Sequence, residues 1–68
     1  MEFGKILREL RQEKDLSQVQ LAKITGIGKS TISDWELSRK EPTASSLIKL
    51  ADFFNISIDE LLGRKDYI

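Results

Sequence analysis

Between Ser17 and Leu37 the sequence reads SQVQLAKITGIGKSTISDWEL, and its caps and glycines leave few ways to fold. Ser17 and Gln20 have the Ser-x-x-Gln spacing of a capping box, in which side chains take up the first free N–H groups of a helix. Leu16 and Leu21 flank that start at the spacing of a hydrophobic staple. Gly26 ends the helix, where a left-handed residue carries no Cβ penalty. Gly28 is an acceptable N-cap for a second helix, Lys29 to Leu37, and Ile27 with Ile32 repeats the staple spacing. Leu21, Ala22 and Thr25 form the inward face of the first helix, and Ile32 and Trp35 that of the second. Val19 and Ile24 fit neither face easily. Lys29, Ser30, Ser33 and Asp34 point away from the core, so the pair presents one polar face.

The flanking chain reads as scaffold for this pair. Phe3, Ile6, Leu7 and Leu10 recur at i, i+3, i+4, i+7, the apolar stripe of an amphipathic helix running to about Lys14. Arg11 falls one position past the stripe, at the core boundary. Pro42 disfavours helix at Glu41. Thr43 then caps a helix through about Phe54, whose apolar face holds Ala44, Leu47, Ile48, Leu50, Ala51 and Phe54. Asn55 suits its end. Ser57 with Glu60 makes a second capping box, and Ile56 with Leu61 another staple, so a short fifth helix spans Ile58 to Leu62 and closes at Gly63. The reading is an all-α, compact five-helix domain over residues 1–63. RKDYI, 64–68, reads as tail or the start of a linker.

Inventory excludes several function classes. The 68 residues contain no cysteine and no histidine, so disulfides and thiolate sites are ruled out, and a metal would rest on carboxylates alone. No metal, cofactor or enzymatic activity is expected. Gly26-x-Gly28-Lys29-Ser30 lacks the full spacing of a phosphate loop and follows a helix rather than a strand. No apolar run approaches the roughly 20 residues of a membrane span. Net charge is zero, with 11 basic and 11 acidic residues, which counts against a non-specific polyanion binder. The charge is unevenly spread: residues 17–40 carry Lys23, Lys29, Arg39 and Lys40 against Asp34 and Glu36, whereas 41–68 carry three bases against five acids.

The central pair also satisfies the steric demands of a helix-turn-helix. Two helices meeting steeply need a small residue at the close approach, which is Ala22, and a glycine in the turn four residues on, which is Gly26. Leu21, Ile27, Ile32 and Trp35 supply the apolar anchors. Thr25 stands where an aliphatic side chain would pack better, with only its methyl to substitute. LSQVQLAKITGIGKSTISDWE followed by RKEPTASSLIKLADFFNISIDELLG resembles the Cro/lambda-repressor-like, or XRE-type, family, from Phe3 to Gly63. The resemblance implies a five-helix DNA-binding domain that regulates transcription, cytoplasmic and nucleoid-associated, of bacterial or phage origin. It implies a repressor binding a double-stranded operator as a homodimer on two-fold-related half-sites. The family commonly has a polar residue where Leu37 stands and glycine where Ser38 stands.

Position by position, the resemblance places Lys29, Ser30, Ser33 and Asp34 toward the major groove. Lysine can donate to guanine O6 and N7, serine can serve any base, and aspartate can accept from cytosine N4. Asp34, repelled by phosphates, must read a cytosine, pair with Lys29 or Arg39, or discriminate against other bases. Gln18 falls where the family holds a phosphate, with Lys23, Gly28, Thr31, Arg39 and Lys40 as further phosphate candidates. Arg11 and Glu36 fall where the family has a salt bridge between the first and third helices. Trp35 shares a face with Ile32 and reads as core. Leu61, Leu62, Tyr67 and Ile68 are candidate dimer residues. The competing reading is a protein-interaction module, antitoxin-like, with weak or no affinity for DNA.

Overall fold

Helix ends in this chain sit where local chemistry puts them. The computed structural model describes residues 2–64, and among them are five α-helices and no strand. They are α1 (Phe3–Glu13), α2 (Gln18–Thr25), α3 (Lys29–Glu36), α4 (Ala44–Phe54) and α5 (Ile58–Leu61). Both expected capping boxes form. Ser17 Oγ accepts from the Gln20 N–H at 3.0 Å while Gln20 Oε1 accepts from the Ser17 N–H at 2.8 Å. Ser57 and Glu60 repeat the arrangement at 3.0 Å in each direction. Thr43 Oγ1 starts α4 by accepting from the Ser46 N–H at 3.2 Å.

Four of the helices stop in the same way. A left-handed residue follows the helix, and the residue after it donates back five positions, the pattern of a Schellman turn. The left-handed residues are Asp15, Ser38, Asn55 and Gly63, with φ of 56°, 59°, 57° and 77°. The closing bonds run from Leu16 N to Arg11 O, Arg39 N to Asp34 O, Ile56 N to Ala51 O and Arg64 N to Asp59 O, at 2.7–3.1 Å. Gly26, at φ 75°, ends α2 with a single bond to Ala22 O at 2.8 Å. The loop after α3 thus keeps a left-handed corner although serine occupies it.

The core gathers Phe3 and Leu7 from α1, Leu21 from α2, Ile32 and Trp35 from α3, Leu50, Ala51 and Phe54 from α4, and Leu61 from α5. Phe3 and Trp35 meet edge to face with centroids 5.7 Å apart, so Trp35 is core as expected. The face of α4 is narrower than the sequence suggested. Leu50, Ala51 and Phe54 are buried and Leu47 and Phe53 half-buried, but Ala44 and Ile48 are exposed. Ile48 lies about 100° around the helix from Leu47, off the buried stripe. Leu61 is wholly buried and closes the core, so it offers no surface to a partner. Leu62 is half-buried against the same core, and Tyr67 and Ile68 lie outside the described residues.

Thr25 does more than fill space. Its hydroxyl donates to Leu21 O at 2.8 Å and accepts from the Ile27 N–H at 3.3 Å, so it bonds both sides of the turn between α2 and α3. Gly4, buried in α1, faces the end of α3, where an added Cβ would overlap the Trp35 backbone carbonyl. That contact lets α1 lie close on α3, which it packs against along with α2.

Candidate nucleic-acid interface

The packing of Ile32 and Trp35 fixes the rotation of α3, and the opposite side of the helix is left outward. Lys29 and Ser30 are exposed there, and Thr31, Ser33 and Asp34 are half-buried. Gly28 caps α3 with extended backbone and has no side chain to occupy the first-turn N–H groups. Those donors, with the positive end of the helix dipole, form the kind of site that accepts an oxygen anion. The N-terminus of α2 differs, because Ser17 and Gln20 already cap it.

Asp34 resolves one ambiguity in the sequence. Its carboxylate lies 3.6 Å from Lys40 Nζ and 4.0 Å from the Arg39 guanidinium, and no contact joins it to Lys29. Lys40 as its nearer partner was not foreseen, because the Schellman turn at Ser38 is what folds the loop back over α3. Asp34 is 24 % exposed, whereas Arg39 and Lys40 are 68 % and 70 % exposed. Pairs this wet add little to stability. Their consequence is arrangement: two cations sit beside the outward face of α3, held by one carboxylate.

Behind the face lies a drier network. Arg11 Nε donates to Glu36 Oε2 at 2.7 Å and a second guanidinium nitrogen donates to Oε1 at 2.9 Å, a bidentate pair. The remaining Arg11 nitrogen donates to Leu16 O at 2.8 Å, tying in the segment before α2. Gln18 Nε2 donates to Glu36 Oε1 at 3.1 Å. The Glu36 side chain is 3 % exposed and that of Arg11 12 %. Donating hydrogen bonds to the Glu36 carboxylate raises the Arg11 pKa above its ordinary value; burial opposes this and the carboxylate charge adds to it. A raised pKa on a cation gives stability that is complete below the unfolded value and lost only as pH climbs past the folded one. Arg11 therefore stays charged at any pH the fold meets.

The structure thus brings Lys29, Ser30, Ser33 and Asp34 onto one outward face with Arg39 and Lys40 beside it. Gln18, expected as a phosphate contact, is also joined through Glu36 to the Arg11 pair. Its two-hydrogen amide can still offer one N–H outward. Lys23 is exposed in the last turn of α2. Sequence reasoning missed the Gln18–Glu36 bond, because the two residues are 18 positions apart and meet only once α2 crosses α3. Gly4 was missed too, though a lone glycine inside a helical stripe was a legible sign of close approach.

Among the described residues, no cluster of His, Cys, Asp or Glu could hold a metal ion, and no helix is long and apolar enough to cross a membrane. A five-helix bundle in which α2, a glycine turn and α3 expose one polar helix face defines a helix-turn-helix domain. The profile of the helix-turn-helix family matches residues 7–61, and the chain belongs to that family, in its XRE-type branch. It is 40 % identical over 68 residues to the HTH-type transcriptional activator BcrR of Enterococcus faecalis, covering all of this chain and 33 % of that protein. It is 35 % identical over 66 residues to the transcriptional regulator ImmR of Bacillus subtilis, covering 97 % of this chain and 52 % of that one. Against the cryptic phage CTXphi transcriptional repressor RstR of Vibrio cholerae the identity is 37 % over 61 residues, covering 90 % and 55 %. The chain therefore spans a third to about half the length of these relatives. No solved structure matches it.

Proposed function

We propose that residues 1–63 are the DNA-binding domain of a transcriptional regulator and lay α3 in the major groove of a specific duplex. Lys29, Ser30, Ser33 and Asp34 read base edges. Gln18, Lys23, Arg39 and Lys40 hold phosphates, and so do the backbone and hydroxyl at Gly28 and Thr31. The observation that carries this is the uncapped start of α3 opening a polar face whose reverse is core. The part-buried Arg11–Glu36 pair does not touch DNA; it fixes Gln18 and the angle of α3. Asp34 accepts from a cytosine N4 once phosphates draw Arg39 and Lys40 away from it.

A single α3 reads only a few base pairs, so the domain works as a homodimer on two-fold-related half-sites. Repression of the bound promoter is the regulatory outcome, in the cytoplasm of a bacterium or a phage-infected cell and at the nucleoid. Because relatives are named both as an activator and as a repressor, a reporter assay tests the direction: lower expression from the bound promoter is expected, and higher expression overturns it. Gel-shift titration with Lys29→Ala and Gln18→Ala tests the interface. Loss of the Lys29 contact costs about 1–3 kcal/mol and relaxes one base position, whereas loss of the Gln18 contact weakens all sequences alike. Binding unchanged by both substitutions overturns the assignment.

A further inference from the structure

On the side of the molecule formed by α1 and α5 lies an open groove of about 430 Å³. Ile6 and Leu10 of α1 and Ile56, just before α5, give it an apolar floor, all three half-buried. Glu2, Glu9 and Glu13 form its rim on the α1 side, and Glu60, which caps α5, lines the other side. Ile6 and the three glutamates fall at positions 2, 6, 9 and 13, so successive members are four, three and four residues apart and share one stripe. Among the described residues lining the groove there is no base, and these three glutamates take part in no ion pair. Three solvated carboxylates between the N-cap and the last residue of α1, spread over about 16 Å above apolar side chains that remain partly wet, are not needed by the core or by the face of α3.

The charge chooses the occupant. Duplex DNA and a lipid surface are both anionic and are repelled. A second copy presenting the same face would set carboxylate against carboxylate. An apolar floor calls for apolar side chains, which a bare cation lacks. We infer that the α1–α5 groove docks a basic amphipathic helix of another protein, its Leu/Ile stripe on Ile6, Leu10 and Ile56 and its lysines or arginines on Glu2, Glu9 and Glu13. A rim of one sign over low-dielectric walls speeds capture of such a segment and makes it sensitive to salt. Because α3 is the element proposed to meet DNA, the groove stays open on a DNA-bound domain. This inference does not depend on the DNA reading.

The test is an amide-shift titration of the full chain with a synthetic helix of about 14 residues. The probe holds leucines on a single stripe and lysines on its flanks. The expected result is saturable shifts confined to residues of α1, Ile56 and α5. Glu9→Lys with Glu13→Lys, both at exposed positions, should weaken binding by about ten-fold or more while the circular dichroism spectrum is unchanged. A peptide of identical composition with the leucine stripe scrambled should also bind about ten-fold more weakly. Equal binding by the scrambled peptide, shifts centred on α2 and α3, or no shifts at all would overturn the proposal. So would groove shifts that grow with protein concentration in the absence of peptide and vanish in the double variant, since they would make the occupant a second copy.

Discussion

At the scale of single residues, Glu36 is the side chain whose surroundings decide most. It takes two bonds from Arg11 and one from Gln18 in a site that is almost dry. Removing a partner strands a buried charge, which costs more than the pair contributes as a whole. Arg11→Met should therefore destabilise the fold by about 3–5 kcal/mol, and the double change Arg11→Met with Glu36→Met by clearly less. Urea unfolding of the three variants measures this, and additive losses would show that the pair is not coupled. Ser38 makes the opposite case. It holds φ 59° in a turn where glycine would sit without strain. Ser38→Gly should raise stability by about 1 kcal/mol, read as a melting temperature about 4–8 °C higher. The family resemblance implied glycine there; the sequence could not show that serine would accept the same backbone. Arg11 and Glu36 were placed as partners only through the resemblance. Their link to Gln18 depends on how α2 crosses α3, which no local pattern encodes.

At the scale of elements, the ends of helices were the most legible part of the chain. Ser17, Thr43 and Ser57 cap where their spacing said they would, because a cap is decided within four residues. Inward faces were less legible, as Ala44 and Ile48 show: periodicity says which residues share a stripe, and only the neighbouring helices say how wide a stripe is covered. The contact between α1 and α3 depends on Gly4, with Trp35 and Glu36 backbone atoms against it. Gly4→Ala should gain helix propensity and still lose about 1–3 kcal/mol, since backbone rather than a flexible side chain blocks the methyl. If the melting temperature rises instead, α1 and α3 are not as close as described. Because α1 braces α3 through Arg11 as well, Gly4→Ala should also weaken DNA binding in proportion to any tilt it forces on α3.

At the scale of the whole molecule, a net charge of zero conceals a separation of signs. Bases collect at Lys23, Lys29, Arg39 and Lys40, around the α2–α3 pair, while glutamates line the groove between α1 and α5. With so few cations at the proposed interface, affinity from phosphates would be limited and base contacts would have to carry the discrimination. If Lys23, Arg39 and Lys40 each neutralise a phosphate, log K should fall with log salt at a slope of about −2.7 per subunit, twice that for a dimer. A much steeper slope would mean that other cations reach the DNA.

The most direct measurement is selection of bound sequences from a random duplex pool by the wild-type chain and by Lys29→Ala. The proposed dimeric reading of DNA predicts enrichment of two related half-sites about one helical turn apart, with specificity relaxed at a single position in the variant. A pool that shows no enrichment, or the same enriched site from both proteins, would contradict the placement of α3 in the major groove.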